Sequence, residues 1–226
     1  MLFAVIANVF LAVGAQAAPK PPVLLVVGDS LSAAYKIPVA KGWVHLLSER
    51  LAYRGYAYRV VNASIPGDTT SGGLSRLPGE LARYRPVIVI VELGGNDGLQ
   101  GLAPVQMRSN LSQMVMLAQK AGSRVLLVGV RMPPNYGPGY TKRFEAVYKA
   151  VAKAKGVPLV PELLVGVATR PDLMQQGGIH PLGKAESKLL DNVWPALKPM
   201  LAKSPVDPAA KHSAPVAASY APATRG

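Results

Sequence analysis

From Pro22 onward, the chain alternates between short apolar runs and longer segments that are polar on one side. Apolar runs with few polar interruptions are typical of strands that are covered on both faces of a parallel sheet. Five segments have this character: 23–27, 58–61, 87–93, 124–130 and 157–160. The pattern therefore predicts five short strands, each separated from the next by a helix.

The segments between these strands carry apolar residues at helical spacing. One predicted face consists of Trp43, Leu46, Leu47 and Leu51 before Gly55, and another of Leu111, Met114, Val115 and Ala118 before Gly122. Further helices are expected at about 72–84, 141–155 and 184–201, with a kink or break at Pro195 in the last. Such alternation predicts a three-layer α/β/α sandwich around a five-stranded, mainly parallel sheet.

The two ends of the chain differ in composition from the part between them. Residues 1–17 are apolar, uncharged and end in Ala15-Gln16-Ala17, so we interpret them as a secretory signal peptide. No Lys or Arg precedes this stretch, which leaves two alternatives: an uncleaved N-terminal anchor, or a start codon assigned too late. Residues 203–226 are rich in Pro, Ala and Ser, and we expect a disordered tail. The sequence thus predicts one domain at 22–202 in a periplasmic or secreted protein.

The charge of the chain narrows the range of partners. There are 25 basic and 12 acidic residues, a formal net charge of +13, and the basic residues are spread along the chain. A surface of this sign favours anionic partners, so contact with anionic lipid is an expectation. Because no RNP, zinc-finger or helix-turn-helix signature is present, we expect no nucleic-acid partner. We also expect a monomer.

The composition argues against metal and cofactor chemistry. The chain has no cysteine, which excludes disulfides, thiolate metal sites and cysteine nucleophiles. No two of the three histidines lie at ligand spacing, so no metal site is expected. The glycine-rich segment 94–98 lacks both a Walker lysine and a GxGxxG pattern, and no nucleotide cofactor is expected.

Polar residues follow three of the predicted strands, where each strand ends. The first strand runs into a Gly-Asp-Ser turn that contains Ser30, Gly67 follows the second, and Asn96 follows the third. In parallel sheets these ends share one edge, where ligands bind. A serine nucleophile needs a base, and its attack on a carbonyl needs donors for the oxyanion. The N–H of Ser30, the N–H of Gly67 and the side chain of Asn96 suit that role, although Gly67 or Asn96 alone is more often a turn residue with positive φ.

One histidine is suited to act as the base. His212 lies in the predicted tail, and His45 falls in the middle of a helix among apolar residues, where a partly buried structural histidine is expected. His180 lies in a glycine-containing loop before the last helix, from which an imidazole can reach the edge of the sheet. An ordinary loop histidine is the alternative interpretation.

The four segments together resemble the SGNH (GDSL) hydrolase family. The matching segments are Gly28-Asp29-Ser30-Leu31, Gly67, Gly94-Gly95-Asn96-Asp97 and Ile179-His180-Pro181, within about 22–200. Longer matches resemble the periplasmic thioesterase, lysophospholipase and arylesterase subgroup: 28–33, 62–65, 92–99 and 131–137. The resemblance implies a flavodoxin-like fold, Ser30 as nucleophile, His180 as base and an oxyanion hole formed by Ser30, Gly67 and Asn96. It also implies an acyl groove lined by Gly98, Leu99, Gln100, Gly101 and Leu102.

One position departs from the family pattern. The family has an aspartate three residues before the histidine, where it orients the imidazole, and this chain has Gly177 there. In other serine hydrolases, loss of this acid costs about four orders of magnitude in turnover. Three compensations remain open at this level: a main-chain carbonyl of the loop holds His180, a distant carboxylate (Asp172, Glu162 or Glu186) takes over, or a weak Ser-His pair operates.

Two functions follow from these residues. The first is hydrolysis of acyl esters and thioesters, such as lysophospholipids, acyl-CoA and aryl esters, through an acyl-Ser30 intermediate, possible without any cofactor. The second is a catalytically impaired descendant that binds acyl chains or anionic lipid in the same pocket. The nucleophile, the base and the oxyanion donors are all retained, which favours the hydrolase.

Overall fold

A parallel sheet forms the centre of the computed structural model, which describes residues 20–202 and Ser219–Tyr220. The strands of the domain are β1 (Val23–Gly28), β2 (Arg59–Asn62), β3 (Ile88–Glu92), β4 (Arg124–Val128) and β5 (Leu159–Val160). Their order is β5-β4-β3-β1-β2, and β6 (Ser219–Tyr220) pairs in parallel with β2 at the edge. All five predicted strands are present and the predicted fold is confirmed.

Within residues 20–202, six α-helices accompany the strands. They are α1 (Trp43–Tyr53), α2 (Thr70–Tyr84), α3 (Gly95–Leu99), α4 (Pro104–Lys120), α5 (Pro138–Lys155) and α6 (Glu186–Leu197). Several helices begin earlier than the apolar spacing indicates, because capping and proline residues at their N-termini favour the first turn. The Thr69 side chain accepts the N–H of Gly72 at 3.3 Å and caps α2. Pro104 and Pro138 occupy the first turns of α4 and α5, where a missing N–H does no harm.

The last helix differs from its prediction. The structure continues α6 through Pro195 to Leu197 and then tightens into a 3-10 turn, Lys198–Met200. The apolar face that α6 buries, which includes Leu189, Val193 and Leu197, keeps the segment helical although Pro195 supplies no N–H donor. The expected break is therefore displaced to the end of the helix.

The strand order determines which face each helix covers. The crossover from β1 to β2 runs in one direction along the sheet, and the later crossovers run in the other. Because such crossovers are right-handed, α1 lies on one face and α2, α4 and α5 on the opposite face. The packing agrees, since α1 contacts α6 while α4 contacts both α2 and α5. The sheet is thus covered on both sides.

The register brings three loops together at one edge. The central strand β1 pairs with β2 from Val23↔Arg59 to Val26↔Asn62 and with β3 from Leu24↔Ile88 to Gly28↔Glu92. The three strands therefore end side by side, and the loops that follow them leave from the same edge. The strand residues are almost entirely buried, which makes this edge a rigid base for the loops.

Several predictions lie outside the described residues. These are the signal peptide at 1–17 and most of the tail at 203–226, of which only Ser219–Tyr220 is described. Within residues 20–202, no helix has both the length and the apolar composition needed to cross a bilayer.

A buried carboxyl joins α1 to α6. Glu186, at the start of α6, is 1% exposed, and its Oε2 accepts the main-chain N–H of Trp43 at 2.8 Å. Burial raises the pKa of Glu186 to about 7, and the hydrogen bond from Trp43 offsets only part of this effect. Between the unfolded value of 4.5 and this value, the folded protein keeps a proton that the unfolded chain has released.

The substitution Glu186→Gln is expected to reduce the loss of stability between pH 5 and pH 8. The folded-state pKa lies above the unfolded one, so ionisation of Glu186 favours the unfolded chain and stability falls as the pH rises. Glutamine still accepts the Trp43 N–H but does not ionise, and the loss should shrink by about 2 kcal/mol. Urea denaturation at the two pH values measures the change, and equal losses in both proteins would contradict it.

Candidate active site

Ser30 lies in a tight turn at the end of β1. The side chain of Asp29 forms this turn, because its Oδ1 accepts the N–H of Leu31 at 3.0 Å. The main-chain oxygen of Asp29 also accepts the N–H of Ala33 at 3.0 Å. Ser30 is consequently held at the edge of the sheet with its side chain partly accessible.

The structure brings Ser30 and His180 together across 150 positions of sequence. Ser30 Oγ lies 3.0 Å from Nε2 of His180, within hydrogen-bonding distance. The histidine reaches this place from a loop whose two ends are joined by an antiparallel bridge between Met174 and Pro181. A nucleophile and a base in this geometry can exchange a proton directly.

The predicted oxyanion donors surround the same edge. Gly67 is exposed with φ of +82°, which explains the glycine by backbone conformation, whereas Asn96 lies in α3 and needs no positive φ. Among residues 20–202, neither the N–H of Ser30 nor that of Gly67 donates a hydrogen bond. The amide of Asn96 donates to Asp29 Oδ2 at 3.1 Å and to the main-chain oxygen of Asp68 at 2.9 Å. To donate to a substrate oxygen, the Asn96 amide would have to share one of its hydrogens between that oxygen and its present acceptor, or give up one of the two bonds.

Two buried carboxyls bind the turn that carries the serine. Glu92 ends β3 and accepts the hydroxyl of Ser32 at 2.7 Å, and Asp29 and Glu92 are both buried. Burial raises the pKa of Asp29 to about 7, with help from the charges of Asp68 and Asp97. Burial likewise raises the pKa of Glu92 well above its ordinary value, with the charge of Asp29 as the next cause. These acids are connectors between strand ends and make no hydrogen bond to the imidazole.

None of the three distant carboxylates contacts His180. Asp172 is bound to Arg170 in a two-pronged ion pair of 2.9 Å. Glu162 lies 3.4 Å from an Arg131 nitrogen, and Glu186 accepts the Trp43 N–H. Among residues 20–202, the imidazole has only one hydrogen-bond partner, Ser30, so neither a carboxylate nor a loop carbonyl holds its Nδ1. The structure therefore shows a Ser30–His180 pair.

The residue at the expected acid position has a backbone that suits glycine. Gly177 has φ of +103°, in a region that L residues rarely adopt, and open space where a side chain would begin. The main-chain oxygen of Gln175 accepts the N–H of Gly178 at 3.0 Å, which makes Gly177 the third residue of a tight turn. An aspartate at this position would be strained unless the turn changed.

The segment proposed to line an acyl groove, Gly98 to Leu102, begins two residues after Asn96. Gly98 and Leu99 close α3, and the chain then passes through Gln100, Gly101 and Leu102 to α4. Two tyrosine hydroxyls fasten it, since Tyr136 donates to the oxygen of Leu99 at 3.0 Å and Tyr140 to that of Leu102 at 2.9 Å. Tyr136 belongs to the matched segment 131–137, whereas Tyr140 lies outside every matched segment; together they hold the 98–102 segment in place.

Sequence reasoning also missed a network that ties the loops to one another. Arg76 on α2 contacts the carboxylate of Asp68 at 2.8 Å and donates to the oxygen of Ala63 at 2.7 Å. Asp97 accepts the N–H and the hydroxyl of Thr70 at the start of α2. Arg76 sits on a helix without any motif, so only tertiary structure reveals it. Within residues 20–202, no group of three or more His, Asp or Glu side chains is arranged to hold a metal ion.

Comparison with known proteins identifies the family. Residues 26–185 match the GDSL-like lipase/acylhydrolase family. The chain belongs to this family. It is 55% identical to "Esterase TesA" of Pseudomonas aeruginosa over 79% of this chain and 89% of that protein. It is 41% identical to "Thioesterase 1/protease 1/lysophospholipase L1" of Escherichia coli over 79% of this chain and 84% of that protein.

A solved structure supports the same relationship. The crystal structure of TesA matches with a TM-score of 0.78 at 55% identity, and the match covers 79% of this chain and 99% of that one. The resemblance recognised in the four sequence segments is therefore confirmed, and esterase function is favoured over the lipid-binding alternative.

Lys36→Gln is expected to move the acid limb of kcat/KM for ester hydrolysis to higher pH. A base must be neutral, and burial first and the charge of Lys36 second lower the pKa of His180 from its ordinary 6.5. Without that charge the imidazole protonates at higher pH. A pH profile between 4.5 and 8 measures the shift, with Lys120→Gln, at the far end of α4, as the charge-matched control. An unmoved limb would contradict the assignment.

Proposed function

We propose that the protein is a serine hydrolase of acyl esters and thioesters that acts through an acyl-Ser30 intermediate. The observation that carries this proposal is the 3.0 Å distance between Ser30 Oγ and His180 Nε2. Ser30 Oγ attacks the acyl carbonyl carbon while its proton passes to Nε2, and the resulting imidazolium protonates the departing alcohol or thiol. Water, deprotonated by His180, then attacks the acyl-serine carbonyl, and the imidazolium returns the proton to Ser30 Oγ as the acid is released.

The developing negative charge is proposed to be held by three donors. These are the N–H of Ser30, the N–H of Gly67 and one hydrogen of the Asn96 amide. The two main-chain donors support this role because neither is used elsewhere among residues 20–202. Asn96 supports it because its amide is already fixed at this edge by Asp29 and Asp68.

We further propose lysophospholipids, acyl-CoA and aryl esters as substrates, with the acyl chain lying along Gly98–Leu102. The names of the relatives include thioesterase and lysophospholipase, and that segment is attached next to Asn96. The loops at this edge expose Ile65, Leu102 and Ile179, which are 38–42% accessible. With a net charge of +13, such a surface suits anionic lipid in a periplasmic or secreted monomer.

A fluorophosphonate probe is expected to label the wild-type protein at Ser30, because an activated serine hydroxyl attacks the phosphorus as it would a carbonyl. Ser30→Ala should abolish both labelling and hydrolysis of p-nitrophenyl esters. Ser75→Ala, which removes an exposed serine hydroxyl on α2, should change neither and is the matched control. Mass spectrometry of the labelled peptide locates the site. Absence of label on folded wild-type protein would refute the proposed mechanism.

The lipid contact has its own test. Ser30→Ala protein should cosediment with phosphatidylglycerol vesicles more than with phosphatidylcholine vesicles, because the basic surface is attracted to the anionic headgroup. Added salt should weaken the binding by screening this attraction. Equal cosedimentation with both vesicles would contradict the electrostatic contact and would leave the hydrolase mechanism intact.

A further inference from the structure

The imidazole of His180 is held in place without a carboxylate. Its Nε2 is 3.0 Å from Ser30 Oγ, yet among residues 20–202 no group accepts a hydrogen bond from its Nδ1. An imidazole can rotate about two side-chain bonds, so something other than an acid must limit this rotation. Two residues contact the histidine or its main chain closely enough to do so: Tyr35 and Gln175.

Gln175 connects the histidine loop to the serine loop. Its main-chain N–H donates to the oxygen of His180 at 2.8 Å. Its side-chain amide donates to the oxygen of Pro181 at 2.9 Å and, across to the serine loop, to the oxygen of Tyr35 at 2.9 Å. Gln175 thus binds the main-chain oxygens of both His180 and Pro181. It also ties this part of the histidine loop to the segment that follows Ser30.

Tyr35 limits the orientation of the ring itself. The centroids of its ring and of the His180 ring are 4.6 Å apart, and the planes are inclined by 42°. The main chain of Tyr35 is fixed at both ends, because its N–H donates to the oxygen of Ser30 at 3.3 Å and its oxygen accepts the amide of Gln175. The Tyr35 ring therefore contacts the imidazole, and the Tyr35 main chain is hydrogen-bonded to Ser30.

The turn at Gly177 is part of the same arrangement. The oxygen of Gln175 accepts the N–H of Gly178, and this closes the loop directly after Gln175. The neck of the loop is closed again by the bridge between Met174 and Pro181 and by a 2.7 Å bond from the N–H of Leu182 to the oxygen of Leu173. Gln175 lies between these two closures, where its amide can reach both the neck and the serine loop.

We propose that Gln175 and Tyr35 are the positioning residues for His180 and perform, through main-chain hydrogen bonds and ring contact, the orienting role of the absent aspartate. This inference rests on the proposed function. An amide and an aromatic ring fix direction but supply no negative charge, so the imidazolium that forms during attack has no anionic partner among residues 20–202. An aspartate supplies both orientation and electrostatic stabilisation of the imidazolium. In this protein, Gln175 and Tyr35 supply orientation alone.

Gln175→Met is the first test, because methionine has a similar length and cannot donate to the oxygens of Tyr35 and Pro181. Titration with the fluorophosphonate probe counts active sites, and kcat per labelled site should fall at least tenfold with KM changed less than twofold. The acid limb of kcat/KM should move to higher pH as the freed ring turns toward water. Gln176→Met, at the exposed neighbouring position, is the matched control and should keep wild-type values.

Tyr35 is tested by a pair of substitutions. Tyr35→Ala removes the ring and should lower kcat per labelled site at least tenfold, while Tyr35→Phe keeps the ring and should restore at least half of the wild-type value. The hydroxyl of Tyr35 makes no hydrogen bond among residues 20–202, so its removal alone should matter little. Thermal unfolding of each variant shows how much of any change is loss of fold.

The outcomes separate the inference from the function on which it rests. If wild-type Ser30 is labelled but Gln175→Met and Tyr35→Ala retain wild-type kcat and pH profile, the positioning role is wrong and the hydrolase remains. A fall in melting temperature with unchanged kcat per labelled site would also overturn it, since that shows a structural role only. Failure of wild-type labelling would instead reject the proposed function.

Discussion

The site depends on the parallel pairing of β1 with both β2 and β3. This pairing ends three strands side by side, so that the loops carrying Ser30, Gly67 and Asn96 start within one edge. The loops are then joined by side chains. Asp29 connects the first loop to Asn96, and Asn96 reaches the oxygen of Asp68 in the second. A shift of register in the central strands would separate all of these groups at once.

The buried carboxyls show how this edge is held together. Asp29 follows the end of β1 and Glu92 ends the adjacent β3, and each has a raised pKa because burial disfavours its charge. A carboxyl that retains its proton can donate as well as accept, and it avoids repulsion from the other acids nearby. The raised pKa values of Asp29 and Glu92 therefore limit the negative charge that these two acids add to the edge. Neither Asp29 nor Glu92 is hydrogen-bonded to His180, so neither takes the place of the carboxylate that would orient the imidazole.

Much of the fold could be predicted from the sequence because burial on both faces leaves continuous apolar runs, as in 23–27 and 87–93. The boundaries were less predictable. The starts of α2 and α4 depend on Thr69 and on Pro104, which act through local hydrogen bonding and not through apolar spacing. The short helix α3 was missed because it has no apolar face of its own and is formed by the glycine-rich motif that contains Asn96.

The motif residues could be predicted from the sequence, whereas the residues that support them could not. Ser30 and His180 belong to short sequence strings with recognisable chemistry, and the structure places them 3.0 Å apart. Arg76, Tyr140 and Gln175 act through contacts with main-chain oxygens of distant segments. Any donor of suitable length can make such a contact, so no particular residue type marks it in the sequence.

Gly177 takes the place of the acid that orients the histidine in the family, so the orientation and the charge of His180 depend on other residues. An acid three residues before the histidine fixes the imidazole by one bond and also opposes its positive charge. Here the turn requires positive φ at that place, and His180 faces the charge of Lys36 in place of an anion. Burial first and the charge of Lys36 second lower the pKa of His180, so the neutral imidazole is favoured and the proposed base stays unprotonated at lower pH, while the imidazolium proposed to form during attack is less stable. A catalyst built this way trades transition-state stabilisation for a base that remains unprotonated at lower pH.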